Sequence, residues 1–140
     1  MPWIASPLRR SWRGARIASG GRWARIEEGF AEVDFGRWEG LTAEEIEARD
    51  PALFARWRSG DPATGFDYPD GEEAVSFQAR IAAATDRVLA NAGPAAALVL
   101  HKGVIRRVLQ RLGLEELDRA RPGLGEVILI ARGPEAWIRL

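Results

Sequence analysis

Midway along residues 95–112, AAALVLHKGVIRRVLQRL, the apolar period changes. Ala95 to Leu100 is apolar without a break, as in a strand covered on both faces. From Val104 onward, Val104, Ile105, Val108, Leu109 and Leu112 recur at three- and four-residue spacing, which is one face of a helix. A strand that passes within three residues into a helix is a βα unit, and such units build parallel sheets with helical crossovers. The only histidine of the chain, His101, stands at the junction. In open α/β sheets, ligands bind at the carboxyl ends of strands, so His101 lies where chemistry is found. Taken alone, the residue has a competing reading as a core histidine bonded to backbone.

The rest of the chain repeats the alternation. Trp3–Ala5 is a short apolar run that stops at SPLRR, where Ser6-Pro7 reads as an N-cap and first helical residue. Leu8, Trp12 and Ala15 continue at helical spacing to Gly20-Gly21. Trp23–Ile26 reads as a second short strand. Gly29–Gly40 reads as a packed loop, since it carries Phe30, Phe35 and Trp38. Thr42 with Glu45 spells a capping box. Pro51 restarts the helix, which continues through Leu53, Phe54 and Trp57. Asp61–Gly71 is turn-rich, with Pro62, Gly65, Pro69, Asp70 and Gly71. Ala74, Phe77, Ile81, Ala84 and Val88 mark the clearest helix, ended by Gly93-Pro94. Gly125–Ala131 and Ala136–Leu140 read as an antiparallel strand pair turning at Arg132-Gly133-Pro134. The 140 residues fit one domain, 1–140.

Composition excludes several classes. Lys+Arg and Asp+Glu are both 20, so the formal charge is zero, which argues against nucleic acid or an anionic membrane as partner. With Cys 0, disulfides, thiolate chemistry and cysteine metal sites are excluded. No apolar run approaches membrane-spanning length or signal-peptide form, so the cytoplasm is the default expectation. Lys102 is the only lysine; the arginine excess is what a GC-rich coding sequence gives.

Four segments fall in loops or at strand ends: SPLRR (6–10), EVDFGRWEG (32–40), PDGEE (69–73) and LVLHKG (98–103). Together they supply arginine for bidentate bonds to phosphoryl oxygens, a carboxylate able to protonate a leaving oxygen, and the histidine. This set points to phosphate-ester chemistry or to binding a phosphorylated ligand.

At these residues the chain resembles the histidine phosphatase superfamily, the phosphoglycerate mutase-like proteins. Their SPL-x-R-A, G-x-W-E-G, P-G-G-E-S and S-H-G-G…V-I-R segments correspond to SPLRRS, FGRWEG, PDGEE and LHKGVIR, in order. The resemblance implies an α/β fold with three α/β/α layers and a mostly parallel sheet with one antiparallel strand. It implies that Arg10 holds the phosphoryl group, that Glu32 is the general acid, and that His101 is the helper histidine donating to phosphoryl oxygens. Glu72 would order its turn; Arg9 and Lys102 are secondary. No metal or cofactor is implied. Asp34 is the alternative to Glu32, and Glu39 reads as a structural partner.

The family's first motif, R-H-G on its first strand, carries the nucleophilic histidine and has no match in these residues. The expectation is a domain without that first strand and helix, inactive or nearly so by the phosphohistidine route. In the family the missing strand lies beside the one ending at His101. Three outcomes follow: the Gly125–Ala131 strand pairs directly with Leu98–His101, a second copy supplies a strand and forms a homodimer, or the residues belong to a longer protein. Three functions stay open. The first is a phosphatase or mutase lineage, the second a non-catalytic binder of phosphate or phosphorylated small molecules, and the third an interaction scaffold.

Overall fold

A computed structural model describes residues 1–60, 65–114 and 123–140. These group into two compact units, one of Met1–Glu32 with Arg80–Leu140, the other Val33–Ala79. The fold is mixed α/β with a mostly parallel sheet.

In the first unit, β1 (Trp3–Ala5) pairs in parallel with β2 (Arg25–Ile26) and β3 (Ala97–Val99), giving the order β2-β1-β3. Helix α1 (Arg9–Ala18) makes the crossover from β1 to β2, the connection a parallel pair needs. It lies against the sheet because its inward residues are small: Ser11 and Ala15 are buried, and a Cβ on Gly14 would stand 3.7 Å from Val99 Cγ1. The Ser11 hydroxyl donates to the Val99 carbonyl, which also accepts Ser6 N–H at 3.3 Å. The core holds Ile4, Ala5 and Phe30 with Ile81, Ala84 and Val88 of α4 (Ala74–Asn91) and Val104, Val108 and Leu109 of α5 (Lys102–Arg111). Burying a side chain the size of Ile4 or Phe30 contributes about 1.5–3 kcal/mol.

Three expectations need correction here. Ser6 does not cap α1: the helix starts at Arg9 with Leu8 in the cap position and no side-chain cap, so Ser6 stands two residues ahead of the cap, where its hydroxyl accepts Leu8 N–H at 3.2 Å. The run Ala95–Leu100 is not buried on both faces. Only Ala97–Val99 forms β3, and its residues are half-buried, because among the described residues nothing pairs with its second edge. The strand expected over Gly125–Ala131 shortens to β4 (Ile130–Arg132), which pairs antiparallel with β5 (Trp137–Arg139). That pair is a separate two-stranded sheet, so β4 does not join β3. Val127 and Leu129 ahead of it are exposed.

In the second unit the capping box is present in full. Glu45 N–H donates to Thr42 Oγ1 at 3.3 Å, and Thr42 N–H to Glu45 Oε2 at 2.8 Å, starting α2 (Ala43–Arg49). Pro51 opens α3 (Pro51–Ser59). Asp50 between them accepts from Arg37 Nη2 at 2.8 Å and Trp38 Nε1 at 2.8 Å. These two donors, Arg37 foremost, hold its carboxyl below the usual aspartate range. Trp38 stacks on Phe66 and meets Trp57 and Tyr68 edge-on, so the tryptophans are packing residues beside a cleft of about 270 Å³. Gly36 and Gly71 interlock: a Cβ on Gly36 would meet the Pro69 carbonyl at 2.2 Å, and one on Gly71 the Asp34 carbonyl at 2.4 Å. Of the expected turn Asp61–Gly71, residues 61–64 lie outside the described residues.

Candidate functional site

The site assembles at the carboxyl ends of β1 and β3, which lie side by side in parallel register, Ala5 opposite Val99. Beyond Ala5 the chain reaches Ser6 and, as the second residue of α1, Arg10. Beyond Val99 it reaches His101, which ends in extended geometry as the residue before α5, its carbonyl accepting from Ile105 N–H at 2.8 Å. Residues 95 positions apart in sequence thus touch: His101 Nε2 lies 2.7 Å from Ser6 Oγ. Arg10 Nε donates to His101 Nδ1 at 3.3 Å. Ser6 is fully buried and His101 is 7% exposed. Burial, and then the Arg10 charge, push the His101 pKa down to about 4, so at neutral pH the ring is uncharged.

Glu32 arrives from the packed loop. After a 3-10 turn at Glu28–Phe30, the backbone is clamped by Arg80 of α4. Its Nη1 donates to the Gly29 carbonyl at 2.9 Å and the Ala31 carbonyl at 2.7 Å, and its Nη2 to the Glu32 carbonyl at 3.2 Å. The Glu32 carboxylate then reaches the first turn of α5. A Cβ on Gly103 would lie 2.7 Å from Glu32 Oε1, so a side chain there would push the carboxylate from its present position. That end of the helix also favours negative charge.

Arg10, Glu32 and His101 are therefore gathered, with Ser6, at one end of one unit. Arg9 is exposed beside them, and Lys102 is exposed at the start of α5. Glu72 belongs to the other unit. Its N–H donates to the Asp34 carbonyl at 3.0 Å and its carbonyl accepts from Tyr68. Asp34 uses Oδ1 to accept Gly36 N–H at 2.8 Å, and Glu39 Oε1 accepts Phe35 N–H at 3.1 Å, so both are occupied in their own loop. Arg106 and Arg107 are half-buried, and Arg107 donates to Gln110 Oε1 at 2.7 Å.

Sequence reasoning missed the supporting residues. Ser6 was legible as a cap but not as the partner of His101. Arg80 was not singled out, and Gly103 was read only as part of the LVLHKG segment, not as the residue that Glu32 packs against.

Among the described residues, no three His, Asp or Glu side chains stand close enough to hold a metal ion, and no helix is long and apolar enough to cross a membrane. A cleft of about 320 Å³ lined by Pro7, Trp12, Trp23 and Ile26 opens on the same unit.

A family model described as the histidine phosphatase superfamily (branch 1) matches residues 2–138. Among curated proteins, the bifunctional protein Rv2228c of Mycobacterium tuberculosis is 32% identical over 114 residues, 80% of this chain. The chain spans about 30% of that relative's length. Among solved structures, TTHB049 from Thermus thermophilus is 28% identical with a TM-score of 0.67, over 100% of this chain and 73% of its own. The mycobacterial glucosyl-3-phosphoglycerate phosphatase Rv2419c, solved as a complex with VO3, superposes with a TM-score of 0.78 at 21% identity, over 99% of this chain and 73% of its own.

Proposed function

This chain belongs to the histidine phosphatase superfamily, branch 1, and from that premise we propose that Ser6, Arg10, Glu32 and His101 form a pocket for the phosphoryl group of a phosphate monoester. The observation that carries the reading is the contact of Arg10 with His101 at the carboxyl ends of two parallel strands. Arg10 spends only Nε on the histidine, so its terminal nitrogens are the fork that grips two phosphoryl oxygens. His101 adds the second contact to the anion. Glu32, held at the start of α5, acts as the acid toward the leaving oxygen.

Turnover through a phosphohistidine needs a nucleophilic histidine. Residues 1–140 contain one histidine, and in our reading it is the helper. These residues therefore bind phosphate esters without forming a phosphoenzyme. Vanadate, which mimics phosphate and accompanies one mycobacterial structural neighbour, is the probe. Vanadate or phosphate at millimolar concentration is expected to raise the melting temperature, and Arg10→Ala to abolish the rise. No acid-labile label should appear after incubation with a radiolabelled phosphate ester. No melting shift in the wild type would sink the pocket, and label on His101 would overturn the helper assignment.

A second reading is favoured by the edge of β3 that has no strand partner among the described residues: a scaffold that accepts a strand, here from a second copy. Sedimentation of the purified chain separates the two readings, since a concentration-dependent dimer with no response to vanadate supports the scaffold.

A further inference from the structure

Counting donors around His101 fixes where its proton sits. Arginine offers only donors, so the bond from Arg10 Nε to Nδ1 at 3.3 Å requires a lone pair on Nδ1. A neutral imidazole carries one proton, which must then be on Nε2, 2.7 Å from Ser6 Oγ. The serine oxygen accepts it, and accepts Leu8 N–H as well at 3.2 Å. Ser6 is fully buried, so bulk water does not compete for the bond. The count also excludes the reverse arrangement, in which Nε2 takes the Ser6 proton and the serine becomes a nucleophile. That would set an Nδ1–H against an arginine N–H.

We propose that Ser6 is a positioning residue for His101: it accepts the Nε2–H that the Arg10 donor imposes and so fixes the ring with Nδ1, beside Arg10, as the nitrogen that answers to a bound anion. The structural half of this stands on geometry alone; its functional weight rests on the phosphoryl-pocket reading above. The consequence is a coupling. With a lone pair on Nδ1 the ring has no proton to give a phosphoryl oxygen. When an anion draws the Arg10 guanidinium to itself, Nδ1 is released and takes a proton from solvent. The imidazolium then donates Nε2–H to Ser6 and Nδ1–H to the anion, with one proton taken up per anion bound. The charged groups around the ring are Arg10 from α1, Glu32 from the loop against Gly103, and Lys102 on its own helix. Of these, Arg10 is the one in contact and the one the anion would displace.

Because the chain has a single histidine, long-range 1H–15N spectra of the folded protein contain one imidazole. At neutral pH without ligand, the wild type is expected to show a protonated Nε2 and a bare Nδ1. Ser6→Ala should keep the tautomer, which the Arg10 donor dictates, but shift the Nε2 and Nε2–H signals as that proton loses its acceptor, and Ser6→Thr should restore them; Arg10→Ala should give a tautomer mixture; tryptophan fluorescence checks that each variant is folded. An Nδ1–H form in the wild type overturns the proposal with no variant needed, as does a folded Ser6→Ala with unchanged ring signals. Calorimetry with vanadate in buffers of different ionisation enthalpy then tests the coupling. Uptake approaching one proton is expected in the wild type and less in Ser6→Ala. Binding without uptake overturns the coupling. Failure of vanadate to bind at all defeats the pocket reading while leaving the tautomer result standing.

Discussion

At His101, burial and a neighbouring guanidinium act in the same direction, and the result reaches beyond the site. In the folded chain the ring resists protonation down to about pH 4, against an ordinary value of 6.5. Above the ordinary value neither the folded nor the unfolded chain binds the proton, so the full contribution to stability is present. As pH falls from there towards the folded value, the unfolded chain takes the proton first and stability is lost. The loss amounts to about 3 kcal/mol, and does not grow further at lower pH. The expected outcome is that wild type and His101→Gln, compared by urea unfolding, differ less near pH 4 than at neutral pH by roughly that amount. Carboxyls held low by arginines, such as Glu27 with Arg87, weaken both proteins at lower pH and cancel in the difference. An unchanged difference would mean that the ring is hydrated. The residue types were legible without coordinates: SPLRR, EVDFG and LHKG gave Arg10, Glu32 and His101. The bond to Ser6 was not, because a buried serine 95 positions away leaves no periodic trace, and Ser-Pro-Leu has a good local explanation as a helix start.

Among the elements, α2 follows its own sequence signal and the loop ahead of Glu32 does not. Thr42 and Glu45 cap α2 because each satisfies the other's backbone, a purely local exchange. The loop ahead of Glu32 is different. Its carbonyls at 29, 31 and 32 are satisfied by one side chain from α4, Arg80. Hydrogen bonds from a charged donor contribute about 1.5–3 kcal/mol each and are not additive when they share a donor. Arg80→Met keeps the aliphatic stem and removes all three. It is expected to cost about 2–4 kcal/mol in urea unfolding, with Arg80→Lys recovering only part because an ammonium lacks the planar fork. A cost below about 1 kcal/mol would mean that water replaces the guanidinium at those carbonyls. The sequence marked this loop as packed through Phe30, but a clamp from another element has no local signature.

For the whole molecule, the alternation of short apolar runs with helical periods was enough to foresee a parallel sheet, while the position of each strand in it was not. The run ending at His101 has the composition of a covered strand and an observed burial that is only partial, since burial is decided by neighbours rather than by the strand itself. In β3, alternate residues turn their backbone groups to opposite sides. Ala97 N–H donates to the Pro2 carbonyl and the Val99 carbonyl accepts from Ser6, so Leu98 and Leu100 point their backbone groups away from β1. Hydrogen exchange is expected to follow this pattern, with Ala97 and Val99 amides protected and Leu98 and Leu100 amides fast. Uniform protection across the four would show that another strand covers that edge.

That open edge also bears on how the protein behaves in a tube. From Val88 to His101 the sequence contains no Asp, Glu, Lys or Arg, so the edge lacks the charges that usually keep exposed strands from pairing with one another. The formal net charge is zero as well, which removes the long-range repulsion that would hold molecules apart. Solubility should therefore be capped by concentration rather than by folding stability. The cap should lift with a single lysine in the strand, and not with added salt.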